Sequence, residues 1–389
     1  MNARSLACAT AFAAVAVAAV ASADPMDPAV ERFVVAGEDG APDCWTNNQG
    51  VMVGAFPQGA ERCIRDDVAF KRLIGQYGFA MAPSAMHSAR TTGFGGFHLS
   101  LEGQYTRLDN HSDALKRGTR GPVDPSTKRA SVLNSSPDPL LQIYSLKIRK
   151  SFGFGLEITG AVGYMAQSNI LMGGSDVRLS LLEGFRAPDW PGFLPDVAVG
   201  GGVRTITGTG AFQLTVASLD TQISKPFSIS NSSIITPWIG YQYVWIFGDS
   251  GLVDLTPQTD PLGYCNYAGD NLPGNWDSEK QTENGDPIYD GQPVCMGGSR
   301  EDFNNNVVFD QVRFERQRLL IGASYRYEMV MVGMEFITDL LSPANAQVGK
   351  DKTIVRNANG ETVDELSDSE LLKDEKSQWT LVFELGTMF

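Results

Sequence analysis

The last twelve residues constrain this chain most. Trp379, Leu381, Phe383, Leu385, Thr387 and Phe389 fall on one face of an extended segment, and Thr380, Glu384 and Gly386 fall on the other. A two-residue period with one apolar and one polar side is the pattern of a strand in a half-buried sheet. The competing reading is an edge strand of a soluble sandwich. It would leave an aromatic stripe, ending in Phe389, facing water beside the terminal carboxylate.

On Trp379, Leu381, Phe383, Leu385 and Phe389 the segment resembles the closing strand of bacterial outer-membrane β-barrel proteins, which ends in Phe after alternating aromatic and apolar residues. The resemblance is specific in this strand and looser over residues 93–389. It implies an all-β fold, a transmembrane antiparallel barrel in outer-membrane lipid, and a terminal strand that serves as the insertion signal read by the barrel-insertion machinery. It names an architecture and no activity.

The other end of the chain points to the same compartment. Arg4 precedes an apolar run from Leu6 to Val20, and Ala21-Ser22-Ala23 supplies a small-residue cleavage pattern, so residues 1–23 read as a signal peptide and the mature chain starts at Asp24. Cys8 is removed with it. No further apolar stretch reaches eighteen residues, which leaves a closed barrel as the way to cross a bilayer with every backbone group paired. The 41 Gly, 20 Phe, 11 Tyr and 6 Trp suit many turns and aromatic girdles, and a net charge of -14 argues against a nucleic-acid partner.

Four cysteines remain, spaced as Cys44 with Cys63 and Cys265 with Cys295. In an oxidising compartment both pairs are expected to close, each contributing on the order of 3 kcal/mol. Residues 24–92 do not read as barrel wall and form an N-terminal segment, either periplasmic or a plug. Within it Asp66 or Asp67 caps a short helix in which Phe70, Leu73, Ile74 and Tyr77 share a face, Gly75 and Gly78 weaken the end, and Pro83 stops it.

From Gly93 the period becomes two. Phe97, Leu99, Leu101, Gly103 and Tyr105 face lipid on the first strand. Tyr144, Leu146 and Ile148 do so on the second, Phe154 to Tyr164 on the third, Val177, Leu179 and Leu181 on the fourth, and Val197 to Val203 on the fifth. The sixth reads with Phe212, Leu214 and Val216 outward and Gln213 and Thr215 inward, fading beyond Ser218. The seventh carries Ile239, Tyr241, Tyr243, Trp245 and Phe247 outward, with Pro237 near its start. A long eighth strand, from about Val307 to Tyr327, precedes the ninth, with Val332, Met334 and Phe336 outward, and the closing strand. Long extracellular loops are expected over about 109–139, 248–305 and 341–376, with unusually long periplasmic connections over 182–196 and 217–236. The count is ten strands, or twelve if the eighth splits or Val51–Phe56 is recruited.

The parity sends Glu102, Lys147, Arg149, Glu157, Arg178, Arg204, Arg318, Arg326, Glu335 and Glu384 into the lumen. Such a mixture is either a packed ionic core or the lining of a narrow, wetted channel. An integral barrel with a structural or surface-interaction role, with a surface or periplasmic protein as partner, is therefore set against a narrow passive channel. The hydrolase reading rests on His98 and Ser100, which project to the same side with Glu102 two positions on. Their backbones stand about 6 to 7 Å apart along the strand, and no catalytic residues are assigned. The acidic loops suit Ca²⁺ or Mg²⁺ in general terms, but no ligand spacing is present and no metal or cofactor is expected.

Overall fold

The computed structural model describes residues 24–35, 64–121, 134–184, 193–230, 232–255, 306–349, 351–357 and 360–389, with short strand segments between 264 and 296. The signal-peptide region, Cys44, Cys63 and Val51–Phe56 lie outside the described residues. Ten long antiparallel strands close into a barrel: β1 (Phe97–Arg107), β2 (Leu140–Ser151), β3 (Leu156–Met165), β4 (Leu171–Leu182), β5 (Asp196–Thr207), β6 (Phe212–Ser224), β7 (Ser233–Ser250), β8 (Val312–Tyr327), β9 (Val330–Asp339) and β10 (Trp379–Met388). Each pairs with its neighbour in sequence, and β10 returns to β1 with Glu102 opposite Glu384. Phe97 and Phe389 exchange backbone hydrogen bonds of 3.1 and 2.8 Å at the seam. Among the described residues the ten long strands form a closed ring in which each is paired on both sides, as a hydrocarbon environment demands.

The alternation is visible in burial. Leu101, Val162, Leu219, Ile239, Val332 and Leu385 are exposed on the outer face, while His98, Thr159, Asp220, Gln242, Glu335 and Glu384 on the same strands are buried. Short connections at 152–155 and 328–329 mark the inner end and the long loops mark the outer end. The outer loops carry structure of their own: helix α2 (Asp113–Gly118) within 109–139, and the hairpin Lys352–Arg356 with Thr362–Ser367 followed by the turn Asp368–Leu371 within 341–376.

Helix α1 (Asp67–Met81) starts at Asp66, whose side chain accepts a hydrogen bond from the Ala69 amide at 3.0 Å. Phe70, Leu73, Ile74 and Tyr77 are fully buried, and their neighbours are inward-facing residues from the outer half of the wall, among them Ile143, Phe212, Val216, Ile246 and Phe314. Phe70 meets Phe212 edge-on with ring centroids 6.4 Å apart. The helix runs through Gly75 and Gly78 to Met81, and both glycines are close-approach points, facing Phe314 and Ile246.

This packing corrects the sixth strand. Phe212, Leu214 and Val216 point inward and are buried, while Gln213 is exposed outward. Alternation alone sends apolar residues to lipid, but here the interior is itself apolar because the helix occupies it. β6 also runs on to Ser224 and β7 begins at Ser233, so the long connection read over 217–236 shrinks to 225–232. Pro237 lies inside β7, where pairing passes from β6, ending at Ser224 opposite Trp238, to a short strand Phe227–Ser230 that pairs from Ile235. A residue without an amide hydrogen fits that junction. β4 begins at Leu171, ahead of Val177, and β8 at Val312, unbroken to Tyr327, which fixes the count at ten. Phe154 belongs to the β2–β3 turn, at φ 62° and almost fully exposed.

The expected disulfides are corrected as well: among the described residues no disulfide bond is present, and Cys44 and Cys63 lie outside them. Cys265 and Cys295 stand opposite each other in a two-stranded ladder. Sequence spacing limits the loop that a bond would close, but it does not set the Cβ directions and the dihedral that a bond requires.

Candidate functional site

The lumen is where polar chemistry concentrates, and strand parity puts it there. Below the apolar outer half, Lys147 on β2 meets Glu102 on β1 at 2.7 Å; Ser84 donates to Glu102 at 2.8 Å, and Gln104 donates at 2.7 Å. Arg149 lies 3.5 Å from Glu157 and 3.8 Å from Glu384. On the opposite wall Arg178 pairs with Asp220 at 3.0 Å and with Gln222, and Arg204 grips Asp176 through both guanidinium nitrogens at 2.7 and 2.6 Å. Arg316 pairs with Asp339 at 3.2 Å. The bidentate geometry of Arg204 with Asp176 is of the kind that makes a buried guanidinium–carboxylate pair tolerable.

The remaining charges engage residues 79–92. Arg318 stacks over the Phe79 ring at 5.1 Å and donates to the carbonyls of Phe79 and Pro83 at 3.2 and 3.3 Å. Glu335 accepts from the Trp238 indole at 3.0 Å and from the Ala85 amide at 3.1 Å. Gln242 donates to the Pro83 carbonyl, Gln222 to that of Ala85, and Arg149 to that of Met86. Further toward the inner end Ser224 accepts from the Ala89 amide, Arg90 pairs with Asp196 at 3.1 Å, Glu183 accepts from the Thr91 amide at 2.7 Å, and Glu157 accepts from the Thr92 amide. Arg326, half-buried near the inner rim, reaches the Met388 sulfur at 3.5 Å.

Of the ten residues read as lumen charges nine are buried, and Arg326 is half-buried. Sequence reasoning missed Asp176, Asp220, Asp339 and Arg316. Asp176 lies ahead of Val177, where the alternation of β4 becomes visible, and Asp220 lies beyond Ser218, where that of β6 fades. The available signal for Asp176 was its parity with Arg178, two residues on. His98 and Ser100 are buried in the same interior; His98 Nδ1 stands 4.0 Å from Glu384, while Glu102 is held by Lys147, Ser84 and Gln104. Among the described residues no group of three or more His, Cys, Asp or Glu side chains is arranged to hold a metal ion. Most of the acidic loop 248–305 lies outside them.

A cavity of about 10 Å³ remains between Pro83, Ser84 and His87 and the wall at Arg178, Gly200 to Gly202, Ser218 and Asp220. That is room for about one water.

On the outside, Trp379, Leu381, Phe383 and Leu385 belong to the lipid-facing side of β10, and Phe389 is exposed just beyond it. No protein-family model matches the chain, and no curated protein is similar to it. Among solved structures, Ail, the attachment invasion locus protein of Yersinia pestis, aligns at 8% identity and a TM-score of 0.22, over 76% of this chain and 100% of that one. The outer membrane protease OmpT of Escherichia coli aligns at 11% identity and 0.19, over 78% and 99%. The toluene transporter TbuX of Ralstonia pickettii aligns at 10% and 0.19, over 81% and 97%. Their names describe three different activities and assign none to this chain. Ring closure, an apolar exterior and an interior that is apolar around α1 and charged below it make it a closed ten-stranded antiparallel β-barrel of bacterial outer-membrane type.

Proposed function

We propose that this barrel is plugged by residues 67–92 and acts as a structural or surface-interaction protein, not as an open pore. The observation that carries the reading is the hydrogen bonding of that stretch. Wall side chains from β2, β6, β7 and β8 donate to its carbonyls, while Glu335, Ser224, Glu183 and Glu157 accept from its amides. Leaving one such buried group unpaired costs about 1–3 kcal/mol, so withdrawing the whole segment is costly. The structured outer loops offer a surface to a protein partner, and the closing strand ending in Phe389 is the handle for the barrel-insertion machinery.

Purified, folded protein in planar bilayers tests the reading. It is expected to give no stable open state. Reproducible conductance at modest voltage, altered by Arg178→Glu or Arg204→Glu, would overturn it in favour of a narrow passive channel.

A further inference from the structure

The direction in which residues 67–92 traverse the barrel has a topological consequence. α1 begins among the outer loops: the Asp310 amide donates to Asp67 at 2.9 Å, and Arg65 reaches Asp310 at 2.5 Å. The chain then descends past Pro83, Ala85 and Met86 to Thr92, which bonds Ser151 and Glu157 at the inner end, and β1 starts there at Phe97. The described residues before 67 therefore stand at the outer mouth. Those described from 24 to 35 do so: Met26 donates to the Gln167 carbonyl in the β3–β4 loop at 2.9 Å, Ala29 to Gly118 at 2.9 Å, and the Tyr77 hydroxyl donates to the Met26 carbonyl at 3.0 Å. Val35 and Asp66 add backbone bonds to Ile64 and Phe33, tying the two stretches together above the barrel.

We infer that the barrel displays its own N-terminal segment on the outer face of the membrane, threaded through its lumen. This rests on the plugged-barrel reading and goes further by fixing which side the segment emerges on. The covalent route from Ile64 to β1 runs through the closed ring, so an exported chain must pass what precedes it across the membrane as the barrel assembles around this segment. The wall suits that task. Arg149, Arg318, Gln222 and Gln242 contact main-chain carbonyls, so Pro83, Ala85 and Met86 are held through their backbone, and Ser84 through its hydroxyl by Glu102 and Lys147. The N-terminal residues then close over the mouth, with Asp27 accepting from the Asn169 amide at 2.7 Å and the Arg120 amide bonding the Asp27 carbonyl at 2.9 Å.

The test is an epitope inserted between Asp24 and Pro25 of the full chain, probed with antibody on intact cells and again after outer-membrane permeabilisation. Equal labelling in both states is expected; labelling that needs permeabilisation would overturn surface display. Should the insertion block assembly, a membrane-impermeant amine reagent on the untagged chain, read by mass at the Asp24 terminus, gives the same two outcomes. A Cys pair at Ala85→Cys and Gln222→Cys, in a chain whose native cysteines are replaced by Ser, separates this inference from the reading beneath it. If the cross-link forms but the N-terminus is not on the surface, display fails while the plug stands. If no cross-link forms in folded protein, both fail.

Discussion

A single methyl group at Gly78 sets two effects against each other. Ala is the better helix former by about 1 kcal/mol, yet a Cβ there would stand 2.3 Å from the Ile246 side chain. Overpacking costs about 1–3 kcal/mol, so Gly78→Ala is expected to lower stability. At Gly160 on the lipid face, where no atom lies within 4 Å of an added Cβ, the same change should be near neutral; urea unfolding of both variants in vesicles checks the pair. Among the charges, Glu102→Ala strips Lys147, only 3% exposed, of its carboxylate partner. A loss of about 3–5 kcal/mol is expected. Glu102→Leu combined with Lys147→Met should recover most of it, and a double variant as unstable as Glu102→Ala would contradict the pairing.

At the level of elements, the outer loop from Leu340 to Gln378 docks on α1 through a buried acid. Burial pushes the Asp368 carboxyl up from 3.8 to about 6, opposed by Lys71 and assisted by Asp351 and Glu315. The folded state thus holds a proton that the unfolded chain releases between roughly pH 4 and 6. Its contribution is fully present below the ordinary carboxylate range and is lost as pH rises through about 6. Asp368→Asn should therefore stabilise the loop at pH 7.5 and remove this part of the pH dependence. Amide exchange at Leu371 and Leu372, compared with wild type from pH 4 to 8, reads both effects, and identical profiles would refute them.

For the whole molecule, closure depends on β10 meeting both β9 and β1, and Phe389 completes that seam with its ring 6.2 Å from that of Phe97. Removing Phe389 is expected to lower the heat-modifiable, membrane-inserted fraction without reducing export. Normal insertion at native expression levels would count against its role as an insertion handle.

What the sequence by itself determined is whatever depends on parity. Strands with one lipid face and one polar face declare themselves, so β1, β2, β3, β9 and β10 were legible with their inward residues, as were the helix face of Phe70, Leu73, Ile74 and Tyr77 and a cap at Asp66 or Asp67, which the structure places at Asp66. Only the tertiary structure decided what fills the barrel. Once α1 sits inside, the outer half of the interior is apolar, and Phe212, Leu214 and Val216 turn inward against a pattern that a single strand cannot distinguish from its mirror. The partners of Arg178, Arg204 and Arg316 were likewise beyond reach, because Asp220, Asp176 and Asp339 come from other strands. Alternation fixes which side of a strand is polar, but the contents of the space it encloses are a property of the closed ring.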